Sequence, residues 1–247
     1  METIHDSSSI THSPFLSIII PAHNEANRLP KTIGQLQSFF QHYSKTFEII
    51  PVIQGNDKTG SLICDLAQKD RCIKPIIDPQ GRGKGRAVRY GMEHAQGEIM
   101  LFIDADLSVP LHCLAQLLER FQSSLSCDIL IGSRQHPNSK ITQPQPWLRR
   151  LSERLFNLFL RSLRLTKFRD TQCGCKFFRH AVAKTLFSYA MVNGFAFDVE
   201  ILLLAKNLGY HIEETPVEWA YRRHSCFEIS SDGIQALEDV WNLTEYQ

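Results

Sequence analysis

No stretch of this chain approaches the ~20 uninterrupted apolar residues that a membrane-spanning helix needs, so an integral membrane protein is not expected. The first fourteen residues, METIHDSSSITHSP, lack the basic n-region and apolar core of a secretory signal. Polar and Ser-rich, they read as a disordered tail. An excess of one charge is also missing. Lys+Arg 27 against Asp+Glu 26 leaves a formal +1, and no nucleic-acid partner is expected. Cysteines 64, 72, 113, 127, 173, 175 and 226 are odd in number and sit mostly in apolar runs. That suits free buried thiols in a reducing, cytoplasmic setting better than a disulfide framework. Cys173-x-Cys175 lacks the second Cys/His pair that a zinc site requires. What remains, over 247 residues that are 43% hydrophobic and 21% charged, is enough for one substantial α/β domain spanning 15–247.

The first half alternates short apolar runs with amphipathic ones. Strands are expected at 16–21, 47–53, 73–77, 98–103 and 128–132, the last closing the series. The intervening helices are marked by Ile33, Leu36 and Phe40, then by Leu62, Ile63 and Leu66, Ala87 to Ala95, and Leu111 to Phe121. Continuous apolar strands alternating with helices predict a mostly parallel sheet covered on both faces. Ligands of such sheets collect at the carboxyl ends of the strands.

The character changes after Arg134. Residues 135–146 hold three prolines and read as a mobile loop; 147–165 read as a helix with Leu148, Leu151, Leu155, Leu158 and Leu165 on one stripe. From Arg134 to Asp170 nine Lys/Arg face two acids, Glu153 and Asp170. The chain therefore divides into a 15–134 half and a 135–247 half that carries the basic amphipathic helix 147–165.

Two motifs stand at strand ends. Asp104-Ala-Asp106 follows the run at 98–103, and residues two apart in extended chain share a face. Both carboxylates then converge on one hard cation, Mg²⁺ or Mn²⁺, which bridges diphosphate oxygens. The alternative is an acidic cap on the helix beginning near Pro110. Gly81-Arg82-Gly83-Lys84-Gly85 is neither a Walker A loop nor a dinucleotide fingerprint. It is a flexible basic turn at a helix N-terminus, a place suited to phosphate, or simply a turn chosen for positive φ.

These segments occur together with SIIIPAHNEANRLP (17–30), IGSR (131–134), RDTQCGCKFFRHAVAKTLF (169–187) and FAFDVEILLLAKNLGY (195–210). In that order they resemble the family 2 inverting glycosyltransferases of GT-A (Rossmann-like) fold, most closely the dolichyl-phosphate β-glucosyltransferases and other polyprenyl-phosphate glycosyltransferases. The most specific element is 170–178. The resemblance implies that Pro21, Ala22, Asn24 and Glu25 meet the donor nucleotide and that Lys84 sits near the donor. It further implies that Asp104 contacts the sugar nucleotide, Asp106 the metal, and Arg134 phosphate oxygens of donor or acceptor. Asp170, Gln172, Asp198 and Glu200 fall on the acceptor side. Two departures stand out. Relatives carry an acidic turn after the second strand that reads the base, where this chain has Ile53-Gln54-Gly55-Asn56. Relatives often carry a Gly-Ser-Lys element near the C-terminus, where this chain has His224-Ser225-Cys226 preceded by Arg222 and Arg223, which can replace its charge.

The resemblance implies transfer of a hexose, glucose favoured, from a nucleoside-diphosphate sugar to a polyprenyl phosphate. A phosphomonoester, with a second pKa of ~6, needs no base to attack. A sugar hydroxyl does, and Asp198, Glu200 or Asp170 are the candidates; Asp198 and Glu200 also read as a helix-start pair favoured by the macrodipole. Trp147, the leucine stripe and Arg149, Arg150, Arg154, Arg161 and Arg164 suit a helix lying on a lipid interface, a peripheral attachment to the cytoplasmic membrane face. The alternative is a core helix with solvated arginines. Two other functions stand beside the first: transfer to a soluble saccharide or small molecule, with GDP-mannose as a further donor, and a non-catalytic GT-A binding module.

Overall fold

The computed structural model describes residues 13–43, 45–222 and 231–244. Its centre is a seven-stranded sheet in the order β3-β2-β1-β4-β7-β5-β8. The strands are β1 (Leu16–His23), β2 (Phe47–Gln54), β3 (Ile76–Ile77), β4 (Ile99–Ile103), β5 (Ile129–Ser133), β7 (Cys175–Arg179) and β8 (Ile212–Pro216). All pair in parallel except β7, which lies antiparallel between β4 and β5. Alternation along β1 splits the core into two layers. Ile18 and Ile20 pack with Ile33 and Leu36 of α1 (Leu29–Phe40) and Leu114 and Leu117 of α4 (Leu111–Ser123). Ile19 packs on the other face with Val88 and Met92 of α3 (Lys84–His94), Leu186 of α6 (His180–Tyr189) and Ile201 of α7 (Phe197–Asn207). Burial on both faces is why the strands read as unbroken apolar runs. The remaining helix of this half, α2 (Thr59–Lys69), joins β2 to β3.

The expected mostly parallel sheet with helices on both faces is present, with five local corrections. The third strand is only Ile76–Ile77, with an isolated bridge from Ile73 to Ile49. The run at 128–132 does not close the sheet, because β7 and β8 flank it. The 135–146 segment is not wholly loop: β6 (Lys140–Gln143) pairs in parallel with β9 (Glu218–Ala220) in a second small sheet. The basic helix α5 ends at Ser162, and Leu165 is buried instead of joining the exposed stripe. Of the expected tail, residues 1–12 lie outside the described residues, and Pro14 already belongs to the fold, its carbonyl accepting from Glu98 N at 3.1 Å.

The 135–247 half adds a third apolar cluster. Leu160 of α5 (Trp147–Ser162), Val199 and Leu203 of α7, and Ala236 and Val240 of α8 (Ser231–Thr244) pack together. This seats α5 by its Asn157–Leu160 face against the domain and leaves the opposite face outward.

Candidate active site

The carboxyl ends of β1, β2, β4 and β5 converge, and most of the expected site residues lie there. After β4 the chain turns instead of continuing extended, with Leu107 N donating to Asp104 O and Leu107 at φ 49. The two aspartates thus take different partners. Asp104 Oδ1 lies 2.7 Å from Lys84 Nζ, at the first turn of α3. Asp106 Oδ1 accepts from Ser108 N (2.9 Å) and Ser108 Oγ (2.7 Å), and Oδ2 faces Arg28 Nη1 at 3.9 Å. Asp106 does not cap α4, whose N-cap is Pro110.

A lysine at a helix N-terminus opposes the macrodipole and needs an anion nearby. Burial works against the Lys84 charge, but attraction to Asp104 and Asp198 outweighs it and raises its pKa. Asp104 is held below the usual carboxylate range: burial pushes it up, and Lys84 more than compensates. Asp106 is compensated less: burial, then repulsion from Asp104, push it up further than Ser108 and Arg28 bring it down. The turn that supplies Lys84 is fixed by Gly83, at φ 96, where a Cβ would overlap the carbonyl of Asn193.

The 170–174 loop joins both sides of the site. Asp170 is fully buried, and its Oδ2 accepts from Arg134 N (2.8 Å) and Nε (2.7 Å) while Oδ1 accepts from Arg134 Nη2 (2.8 Å) and Gln172 N (3.1 Å). Burial pushes the Asp170 carboxyl up, but Arg134 draws it below its ordinary value. Four residues on, Asp104 N donates to Gly174 O, and any Cβ at 174 would overlap the Asp104 carboxylate. Gln172 Nε2 is a buried donor with no partner among the described residues. Both Cys173 and Cys175 are buried free thiols, and burial pushes Cys173 up to about 12.

At the ends of β1 and β2, Asn24 (φ 54) uses Oδ1 to accept from Asn56 N and Asp57 N, tying the β1 turn to the β2 turn. Glu25 pairs with Arg28 at 3.0 Å, with Pro21 and Ala22 at the preceding strand end. Gln54 is buried, its Nε2 3.5 Å from Asp78 Oδ2, and Asp78 is held by Arg86 at 2.8 Å. Asp78 therefore stands as the acid beside Gln54, which sequence reasoning missed. It comes from the turn after β3, so no local signal in the β2 turn could reveal it.

Four expected residues are not brought together as anticipated. Asp198 lies beneath the site, its Oδ1 2.5 Å from Lys176 Nζ; burial pushes its pKa up. Glu200 faces elsewhere, accepting from Met191 N and Val192 N. The two share an N-terminal turn, as the helix-start reading held, but residues two apart on a helix point to different sides. Arg222 is exposed beyond β9, while Arg223 and His224–Cys226 lie outside the described residues. Arg149, assigned above to the lipid-facing set, turns inward instead: its Nε is 3.7 Å from Glu153 Oε1, and its guanidinium lies over Tyr221. Glu153 also contacts Arg134 at 3.1 Å.

Residues 17–187 match the model for glycosyl transferase family 2. The chain belongs to this family. It is 31% identical over 238 residues to a dolichyl-phosphate beta-glucosyltransferase of Dictyostelium discoideum, covering 92% of this chain and 72% of the relative. It is 34% identical over 232 residues to one of Drosophila melanogaster, covering 88% and 69%. Among solved structures, glucosyl-3-phosphoglycerate synthase from Mycobacterium tuberculosis, in complex with Mn²⁺, UDP and phosphoglyceric acid, superposes with a TM-score of 0.71. That match has 18% identity and covers 94% of this chain and 78% of that one, which establishes a shared fold.

Proposed function

We propose that this family 2 glycosyltransferase moves glucose from a nucleoside diphosphate to a polyprenyl phosphate, with inversion. The observation that carries the proposal is that every expected general base is already committed. Asp170 is bound to Arg134, Asp198 to Lys176, and Glu200 to the backbone of 191–192. A sugar hydroxyl would lack a base, whereas a phosphomonoester, mostly dianionic at neutral pH, needs none. The names of the curated relatives, dolichyl-phosphate beta-glucosyltransferases, support the same acceptor and sugar.

In this reading an acceptor phosphate oxygen attacks the anomeric carbon as the bond to the nucleoside diphosphate breaks, the electron pair leaving with the diphosphate. No proton moves. Arg134, oriented by Asp170, and Arg149 hold the acceptor phosphate, and Gln172 offers a further donor. Charge-assisted guanidinium contacts are well suited to this. Lys84 lies at the positive end of α3, facing the donor's diphosphate. Pro21, Ala22, Asn24, Glu25 and Gln54 frame the nucleotide.

The site also fits a divalent cation. Asp106 is a half-buried carboxylate pushed up by burial and by Asp104, and Lys84 makes its close ion pair with Asp104. Among the described residues no group of three or more His, Cys, Asp or Glu comes together. Asp106, with Asp104, would hold Mg²⁺ or Mn²⁺, hard cations suited to carboxylate and phosphate oxygens. The ion when bound offsets charge on the leaving diphosphate.

Attachment to a membrane surface through α5 is part of this proposal. Its outward face exposes Trp147 (68%), Leu148, Leu151, Leu155 and Leu158, and Arg150, Arg154, Arg161 and Arg164 are exposed beside them. Apolar burial plus about 1 kcal/mol per basic residue near an anionic surface gives reversible binding. No described helix is long and apolar enough to cross a membrane. The test of the acceptor is a comparison of a polyprenyl phosphate with its free alcohol, each supplied with UDP-glucose and Mn²⁺. Turnover of the phosphate alone is expected; equal turnover of the alcohol would overturn the proposal.

A further inference from the structure

The stretch from Arg134 to Asp170 carries only two acids, and both contact Arg134. They are not equivalent. Asp170 is fully buried, with both oxygens engaged by Arg134 and the Gln172 N–H also donating to Oδ1, so it cannot leave. Glu153 rides on α5, with a fifth of its side chain exposed. Its Oε1 accepts from Arg134 Nη1 at 3.2 Å and lies 3.7 Å from Arg149 Nε, and its Oε2 accepts from Gln145 Nε2 at 2.6 Å. It bridges the two guanidiniums assigned above to the acceptor phosphate. Two arginines and two carboxylates sum to zero there. A free anion gains little by entering such a neutral cluster; it gains more once one carboxylate withdraws.

We propose that Glu153 is an exchangeable counter-ion that sets the charge an acceptor must carry, standing on Arg134 and Arg149 where the acceptor phosphate binds. This rests on the phosphate-acceptor reading. A dianionic phosphomonoester offers two guanidiniums more charge than the carboxylate does and displaces it. A monoanionic phosphodiester or a neutral hydroxyl offers no such excess, and Glu153 stays. Glu153 thereby selects a phosphate terminus over other groups of similar size. Because Glu153 sits on the helix whose outer face carries the exposed leucines, the selection acts where the acceptor would enter from a lipid surface.

The test uses the full chain with UDP-glucose, Mn²⁺ and a short-chain polyprenyl phosphate. Glu153→Gln keeps the shape and removes the competing charge. Its KM for the acceptor is expected to fall about tenfold, the scale of one close charge pair, the gain appearing in KM and not in kcat. Inhibition by dimethyl phosphate, a monoanion, is expected to strengthen relative to inhibition by inorganic phosphate. Glu153→Ala should move both readouts in the same direction. A raised KM or reduced kcat in both variants would assign Glu153 a merely structural role and overturn the proposal, as would an unchanged inhibitor ratio. If the unaltered chain glucosylates no lipid phosphate, the acceptor reading falls and this one with it. If it does so and the variants match it, only the role of Glu153 falls.

Discussion

Asp170 holds Arg134 by three hydrogen bonds at once, from the backbone N, from Nε and from Nη2, at 2.7–2.8 Å. This buried pair fixes the guanidinium at the end of β5, where the proposed function places the acceptor. Removing one partner of such a pair typically costs about 3–5 kcal/mol, because the other charge is left buried and alone. Asp170→Asn is therefore expected to lower stability by that order in chemical denaturation at pH 7. The Asp170 pKa is depressed in the fold. Its contribution is then present above the unfolded carboxylate value of about 3.9 and is lost as pH falls through the lower folded value. The deficit of the variant should accordingly be full at neutral pH and shrink below about pH 4.

Asp106 behaves in the opposite sense. Its pKa is raised by burial and by Asp104, so its charge opposes folding as pH rises. Asp106→Asn is expected to keep or raise the thermal midpoint at pH 7 while abolishing metal-dependent transfer. A lowered midpoint with full activity in EDTA would contradict both the electrostatics and the metal role.

Gly174 links the two halves of the site by its lack of a side chain. A Cβ there would overlap the Asp104 carboxylate, while the Gly174 carbonyl still anchors Asp104 N. Gly174→Ala should leave the fold intact and displace Asp104 from Lys84, lowering kcat at least tenfold, given that ångström-scale misplacement of reacting groups can cost ~10²-fold. Circular dichroism and steady-state kinetics together check this.

Much of this arrangement was legible in the residues. The unbroken apolar runs of β1 and β4 announced a buried parallel sheet, and Asp104, Asp106 and Arg134 do follow the carboxyl ends of its strands. What was not legible depends on contacts distant in sequence. Residues 175–179 pair with β4 on one side and β5 on the other, an antiparallel insertion that nothing in CKFFR itself announces. Asp78 meets Gln54 only because β3 aligns beside β2. The inward turn of Arg149 follows from how α5 is rotated on its Leu160 contact, so composition alone counted it with the outward arginines. The separation of Asp198 from Glu200, by contrast, is a consequence of helical geometry available from the start.

The exposed leucines of α5 give a prediction independent of catalysis. Leu151→Asp combined with Leu155→Asp should reduce sedimentation with anionic phospholipid vesicles several-fold, with stability changed by no more than about 0.5 kcal/mol per surface site. Equal sedimentation of the double variant would remove α5 as the attachment surface.

The central claim is the transfer of glucose to a lipid phosphate. The most direct measurement is the partition of label from UDP-[¹⁴C]glucose between organic and aqueous phases after incubation with the chain, Mn²⁺ and a polyprenyl phosphate. The account predicts label in the organic phase, dependent on the lipid phosphate and lost in Asp106→Asn. Label confined to the aqueous phase, with or without the lipid, would contradict it.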